Sequence, residues 1–285
     1  MSQLQELTRF MVAAGGAKPP GSESTHLLYN EDSSLILKEW NGTTYDSQEL
    51  IASDALPDSP AVYLLPPDSD KRIVYINSSL ALGSLVYDEE SEEWAEDEEF
   101  GQHEVHPDGK LVGTVGEDGD QHIFFQDQAK NLVHLDDEWT PTILPATAAT
   151  GSSLAALAFN DKVYLFYTSA NDNTPRFLTL QDDDTWTDAK HAAYTFEANE
   201  TPKRFLASPD TDGALDLYVL TEQKALFRVS ADGKKTTLGT VTEDGEWKPT
   251  TKEECFILIA IVAIGCGFHM GHSIHRHRHR RRRHC

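Results

Sequence analysis

Hydrophobic residues along this chain fall into short runs separated by Gly, Asp, Asn and Ser. Between Lys110 and Trp139 the pattern is clearest: KLVGTVG, then QHIFFQ, then NLVHL, with Gly-Asp and Ala-Lys-Asn turns between them and Trp139 after the third run. Short runs rich in β-branched and aromatic residues, bounded by turn formers, predict strands joined as hairpins. The unit recurs. AVYLL, RIVYI and GSLVY lead to Trp94; SSLAALAF, KVYLFYT and PRFLTL lead to Trp186; KRFLAS, LDLYVL and ALFRVS lead to Trp247. A looser first copy takes Thr8–Ala14 as its first strand, then THLLY and SLILKE, and ends on Trp40. The five tryptophans are spaced 54, 45, 47 and 61 residues apart, each read as following the third strand of its unit.

Units of roughly 40–50 residues with up to four strands have the size of β-propeller blades. The first runs are small and apolar, as a crowded inner strand requires, and the second runs carry the large aromatics that fill space between blades. No long segment sustains a 3.6-residue period, which argues against a helical repeat. A β-sandwich is the alternative fold, but it does not demand one tryptophan per unit. The expectation is an all-β propeller of five recognisable blades over residues 1–254, with residues 255–285 set apart. There a continuous apolar stretch, CFILIAIVAIGCGF, precedes a tail of His and Arg. Residues 256–264 could open a partial sixth blade or close the ring onto the first. Fourteen apolar residues fall short of the ~20 that span a bilayer as a helix, so membrane association through the tail is not expected.

Composition narrows the partners. The chain of 285 residues has 47 acidic and 24 basic side chains, a net charge of −23. Six of the basic ones are tail arginines; without them 47 acidic face 18 basic residues, a net charge of −29. Such a surface repels phosphate backbones, so nucleic acid is excluded as a partner of the body. The three cysteines all lie beyond residue 254, so no disulfide framework holds the body. No signal-peptide pattern opens the sequence, so the expected location is the cytoplasm, or outside the cell by leaderless release. The tail histidines could bind transition metals as any His-rich tract can, but no fixed site is implied, and no cofactor is expected.

The segment HIFFQDQAKNLVHL (His122–Leu135) resembles the repeat of the fungal fucose-specific lectins of the Aleuria type, and THLLYNEDSSLILKEW and RIVYINSSLALGSLVYDEESEEW are weaker copies. The resemblance implies a propeller with fucose held between adjacent blades. The sugar is held there by an arginine of the second strand, a glutamate of the third and an aromatic residue of a neighbouring blade. The arginine position carries His26, Arg72, His122, Tyr164 and Asp216 here, and the glutamate position Leu37, Ser84, His134, Phe177 and Phe227, the latter to within one residue. No unit keeps both members of the pair. The candidate carbohydrate-binding residues are Arg72, Trp94, His122, His134 and Trp139: indoles stack on sugar faces, while arginine and histidine hydrogen-bond hydroxyls. The inner runs lack the paired carboxylates of a glycosidase, and no nucleophile or metal motif appears, so no catalytic residue is assigned. The expected function is non-catalytic binding of glycans, fucosylated by resemblance. A propeller scaffold for protein interaction, with no sugar site, is the alternative. Oligomeric state is not legible.

Overall fold

The computed structural model describes residues 3–67 and 69–250. It is a β-propeller of five antiparallel sheets. Blade I comprises β1 (Gly15–Ala17), β2 (Thr25–Glu31), β3 (Ser34–Trp40) and β4 (Tyr45–Ala52); blade II comprises β5 (Ala61–Leu64), β6 (Arg72–Ile76), β7 (Leu82–Asp88) and β8 (Glu93–Glu96). Blade III comprises β9 (Leu111–Val115), β10 (Gln121–Gln126), β11 (Leu132–Leu135) and β12 (Pro141–Ile143). Blade IV runs through β13 (Ala155–Phe159), β14 (Lys162–Thr168), β15 (Pro175–Leu180) and β16 (Trp186–Lys190). Blade V has five strands: β17 (Pro202–Pro209), β18 (Leu215–Thr221), β19 (Ala225–Val229), β20 (Lys235–Val241) and β21 (Trp247–Pro249).

The core is a set of layers between blades, and strand alternation builds it. In β5, Val62 and Leu64 point into the layer shared with blade III, whereas Ala61 and Tyr63 point into the layer shared with blade I. Successive side chains of a strand face opposite ways, so a blade in the ring must be apolar on both faces. That explains continuous apolar runs such as AVYL and QHIFFQ, every residue of which is buried in its strand.

The ring is closed by a helix. α1 (Gln3–Val12) lies between blade V and blade I. Leu4, Leu7 and Met11 pack on Leu206, Tyr218, Leu220, Leu226 and Leu238 of blade V, while Phe10 also reaches the layer formed by Ala13, Leu27 and Trp40 of blade I. Thr8–Ala14, expected as an inner strand, is therefore mostly helical. Apolar residues at positions 4, 7 and 11 form one helical stripe, which a window starting at Thr8 cuts in half. The true inner strand, β1, has only three residues, and its closeness to blade II selects glycine. A Cβ on Gly15 would stand 1.9 Å from the Ala61 carbonyl oxygen, and Ala61 N–H donates to the Ala14 carbonyl at 2.9 Å beside it. Gly15→Ala is expected to force these backbones apart and cost about 1–3 kcal/mol, read as a lower urea midpoint; an unchanged midpoint would show that the approach is not required.

The tryptophans follow the expected pattern in four blades. Trp40 ends β3, Trp139 lies between β11 and β12, and Trp94 and Trp186 sit in β8 and β16. Trp247 departs from it. An unforeseen strand, β20, intervenes, so Trp247 opens the extra strand β21, where its backbone N–H donates to Gln5 Oε1 at 3.0 Å and its Nε1 to the Leu238 carbonyl at 3.0 Å. The sixth-blade expectation for residues 256–264, and everything expected of the apolar segment and tail, lies outside the described residues. Among the described residues, no helix is long and apolar enough to cross a membrane.

Candidate functional site

Trp40, Trp94, Trp139 and Trp186 each turn toward the element that precedes their blade, so each interblade cleft can be compared at its indole. In two of them a guanidinium lies over the indole, and in the other two aromatic side chains meet it edge-on. The Arg9 guanidinium lies 4.0 Å from the centre of the Trp40 ring. Arg72 of blade II lies 4.3 Å from that of Trp139. His134 and Phe124 of blade III meet Trp186 edge-on, at 5.3 and 5.7 Å between ring centres.

Arg72 and Trp139 are thus brought together, as expected, but the guanidinium is held by the protein. Its Nε donates to Gln121 Oε1 at 3.2 Å, and its Nη1 donates to Ser84 Oγ at 2.8 Å and to the Asp97 carboxylate. His122 and His134 also come together, yet with Trp186 rather than Trp139. Their rings stack with Nδ1 of His122 2.9 Å from Nε2 of His134, and each is only 7% exposed. Burial pushes both imidazoles down; His134, next to His122, falls to about 3, while Asp118 pulls His122 back toward its ordinary value. Both are therefore neutral in the fold. The unfolded chain takes up protons below about pH 6.5 that the folded chain refuses. This pair's contribution to stability is complete above that pH and is lost as pH falls toward about 3. The urea midpoint is expected to drop more steeply between pH 7 and 4 in the wild type than in His134→Phe; parallel pH profiles would contradict the buried neutral pair.

Trp94 stands apart from these four residues, in the cleft between blades I and II, and this cleft is open. It encloses about 230 Å³ lined by His26, Leu37, Glu39, Ser47 and Glu49 from blade I and by Tyr63, Lys71, Tyr87 and Trp94 from blade II. Tyr63 and Tyr87 meet the indole edge-on, and Tyr63 stacks on His26 with ring centres 5.8 Å apart. Burial lowers the His26 pKa against the pull of Glu39, so its ring offers one donor and one acceptor nitrogen. Two buried polar atoms here have no partner within the protein, His26 Nδ1 and Trp94 Nε1. Buried polar groups are ordinarily satisfied. The carboxylates of Glu39 and Glu49 and the ammonium of Lys71, which line the same cleft, suit a ligand that both donates and accepts.

Glu39, Tyr63, Lys71 and Tyr87 were not foreseen as site residues. The signal for Glu39 was in the hairpin: β2 and β3 are joined by the two-residue turn Asp32–Ser33, and counting outward pairs His26 with Glu39. The position equivalent to His134, which faces Phe124, is Leu37, which faces Leu28; Glu39 lies two residues further on. In the fifth unit the same register falls on Arg228, opposite Tyr218 and one residue from Phe227. Arg228 Nη1 donates to Asp216 at 3.2 Å, so blade V carries acid and base in the reverse order, and Phe227 packs in the core toward blade IV. The remaining cleft, between blades IV and V, is filled by Phe166, Phe177, Phe205 and Phe227. Among the described residues no group of three metal-ligating side chains occurs.

No protein-family profile and no curated protein matches the sequence. Solved structures do resemble the fold. A triple arginine-to-alanine mutant of AofleA from Arthrobotrys oligospora aligns with TM-score 0.65 and 15% identity over 83% of this chain and 75% of that one. The SapL1 lectin in complex with α-methyl fucoside aligns with TM-score 0.59 and 17% identity over 78% and 77%. An Aleuria aurantia lectin mutant in complex with Fucα1-6GlcNAc aligns with TM-score 0.57 and 13% identity over 80% and 76%. A luciferin-regenerating enzyme aligns with TM-score 0.53 and 14% identity over 85% and 79%, so the fold also serves chemistry of another kind. The structural neighbours of this chain thus include Aleuria-type fucose lectins, and what it shares with them is the propeller fold, here of five blades closed by an N-terminal helix.

Proposed function

We propose that the protein is a non-catalytic, carbohydrate-binding lectin whose working site is the cleft between blades I and II. One observation carries this reading: an aromatic-walled cleft of about 230 Å³ is lined by His26, Glu39, Glu49, Lys71 and Trp94, so donors, acceptors and ring faces converge on one space. Adjacent sugar hydroxyls each donate and accept, so a carboxylate such as Glu39 beside a nitrogen donor satisfies both roles, and hydrogen bonds to a charged partner are the stronger ones. Tyr63, Tyr87 and Trp94 supply the apolar surface that a pyranose ring needs. Fucosylated glycans are the first class to test, because lectins sharing the fold are seen with α-methyl fucoside and Fucα1-6GlcNAc. His26 takes the second-strand place that the resemblance gives to arginine, so the sugar is held here by a weaker donor, and a broader preference among hydroxylated sugars is expected.

A glycan array probed with the purified protein tests this. Binding to at least one glycan class, lost in Glu39→Gln, is the expected result. Silence across the array at high protein concentration favours the second reading, an interaction scaffold, which draws support from the clefts already filled by Arg72, His134 and the blade IV–V phenylalanines.

A further inference from the structure

The axial channel carries a feature unrelated to the interblade clefts. Its cavity, about 70 Å³, is walled by small residues of the inner strands, among them Val62, Gly113 and Ala156, and no acidic residue lines it. Three cations do: Lys110, which precedes β9, and Lys203 and Arg204 of β17. A register shift between Pro202 and Arg204 in the β17–β18 ladder makes this clustering possible. A bulge re-aims side chains that a regular strand would send to opposite faces, and both Lys203 and Arg204 line the cavity.

These cations have carboxylates at a distance but none in contact among the described residues. None of the three takes part in an ion pair there, although acidic side chains outnumber basic ones by 47 to 24 in the whole chain. Arg204 donates one hydrogen bond, from Nη2 to the Ala14 carbonyl at 2.5 Å; a guanidinium has five N–H groups. Burial pushes the Arg204 pKa down to about 10. Lys110 is also lowered, by burial first and then by Arg204, while Glu222 and Asp108 pull it the other way. Like charges gathered at one cavity, Lys110 and Arg204 half-buried and Lys203 exposed, repel one another unless an anion joins them.

We propose that this end of the channel binds a small oxyanion, of the sulfate or phosphate class, through Lys110, Lys203 and Arg204. A tetrahedral anion presents acceptor oxygens to several donors at once, which suits three cations around one cavity. Bound there, the anion joins β9 to β17, and through Arg204 it reinforces the tie to Ala14 next to the closing helix.

Thermal unfolding of the full chain in sulfate and, separately, in phosphate, each against chloride at equal ionic strength, tests the proposal. Sulfate and phosphate are expected to raise the midpoint in the logarithmic, concentration-dependent way of a bound ligand. Lys110→Gln and Lys203→Gln should each weaken the apparent affinity by about tenfold, the loss of one charge-assisted contact. Lys234→Gln, on an exposed turn, should leave it unchanged. Equal responses in all four proteins would overturn the proposal, because general salting effects of sulfate act without a site; so would the absence of any difference from chloride. Trp94→Ala should keep the anion response, which separates this site from the glycan cleft.

Discussion

Replacing Leu7 by alanine is expected to lower the unfolding free energy by about 2–5 kcal/mol, a large part of the ~5–15 kcal/mol that typically holds a protein folded. Leu7 is 1% exposed and packs with Leu4 and Met11 against blade V. The loss should exceed that of an ordinary core leucine, because α1 also carries the ties across the closing seam. Thr8 Oγ1 donates to the Gly245 carbonyl at 2.8 Å, Gln5 Nε2 to the same carbonyl at 2.9 Å, and Lys18 of blade I pairs with Glu6 at 3.0 Å. A helix loosened from blade V releases blade I as well. Urea denaturation reads the effect as a lower midpoint with an unchanged slope. Leu50→Ala, at a leucine 63% exposed on the outer strand of blade I, should shift stability by less than ~0.5 kcal/mol. Similar values for the two variants would mean that the helix is not part of the ring.

Trp94→Ala should reduce glycan affinity by roughly 30-fold or more, the ~2 kcal/mol and above expected of a central aromatic anchor. Trp139→Ala should behave in the opposite way. Trp139 packs on Phe100 and beneath Arg72, whose hydrogen bonds join blades II and III, so its removal lowers stability while glycan affinity stays within a few-fold. Calorimetric titration with a bound glycan, alongside urea midpoints for both variants, separates the two roles. If Trp139→Ala abolishes binding in a folded protein and Trp94→Ala does not, the site has been placed in the wrong cleft.

The contrast between these two indoles shows what was legible in the sequence. Strand runs and their spacing reveal the blades because alternation and turn chemistry are local. The closing helix was missed because its stripe, Leu4, Leu7 and Met11, begins before the first strand-like residues, so a window opening at Thr8 loses the helical spacing. Arg72, Trp94, His122, His134 and Trp139 were singled out by residue type. Type does not say whether a guanidinium will meet a ligand or meet Asp97, and that depends on pairings distant in sequence. His26 opposite Glu39 was within reach, since a two-residue turn fixes the register on both sides. That Tyr63, Lys71 and Tyr87 complete the same cleft was not, because no local rule tells how far apart two neighbouring blades stand.

Indole NMR tests the placement of the sugar site most directly. Five tryptophans give five side-chain N–H resonances, and a Trp94→Phe variant identifies the one belonging to Trp94. Titration with a glycan that the protein binds should move the Trp94 resonance with a saturable dependence, as the ligand fills the cleft that Trp94 lines, while those of Trp139, Trp186 and Trp247 stay in place. Movement of Trp139 or Trp186 with Trp94 unmoved would contradict a carbohydrate site between blades I and II.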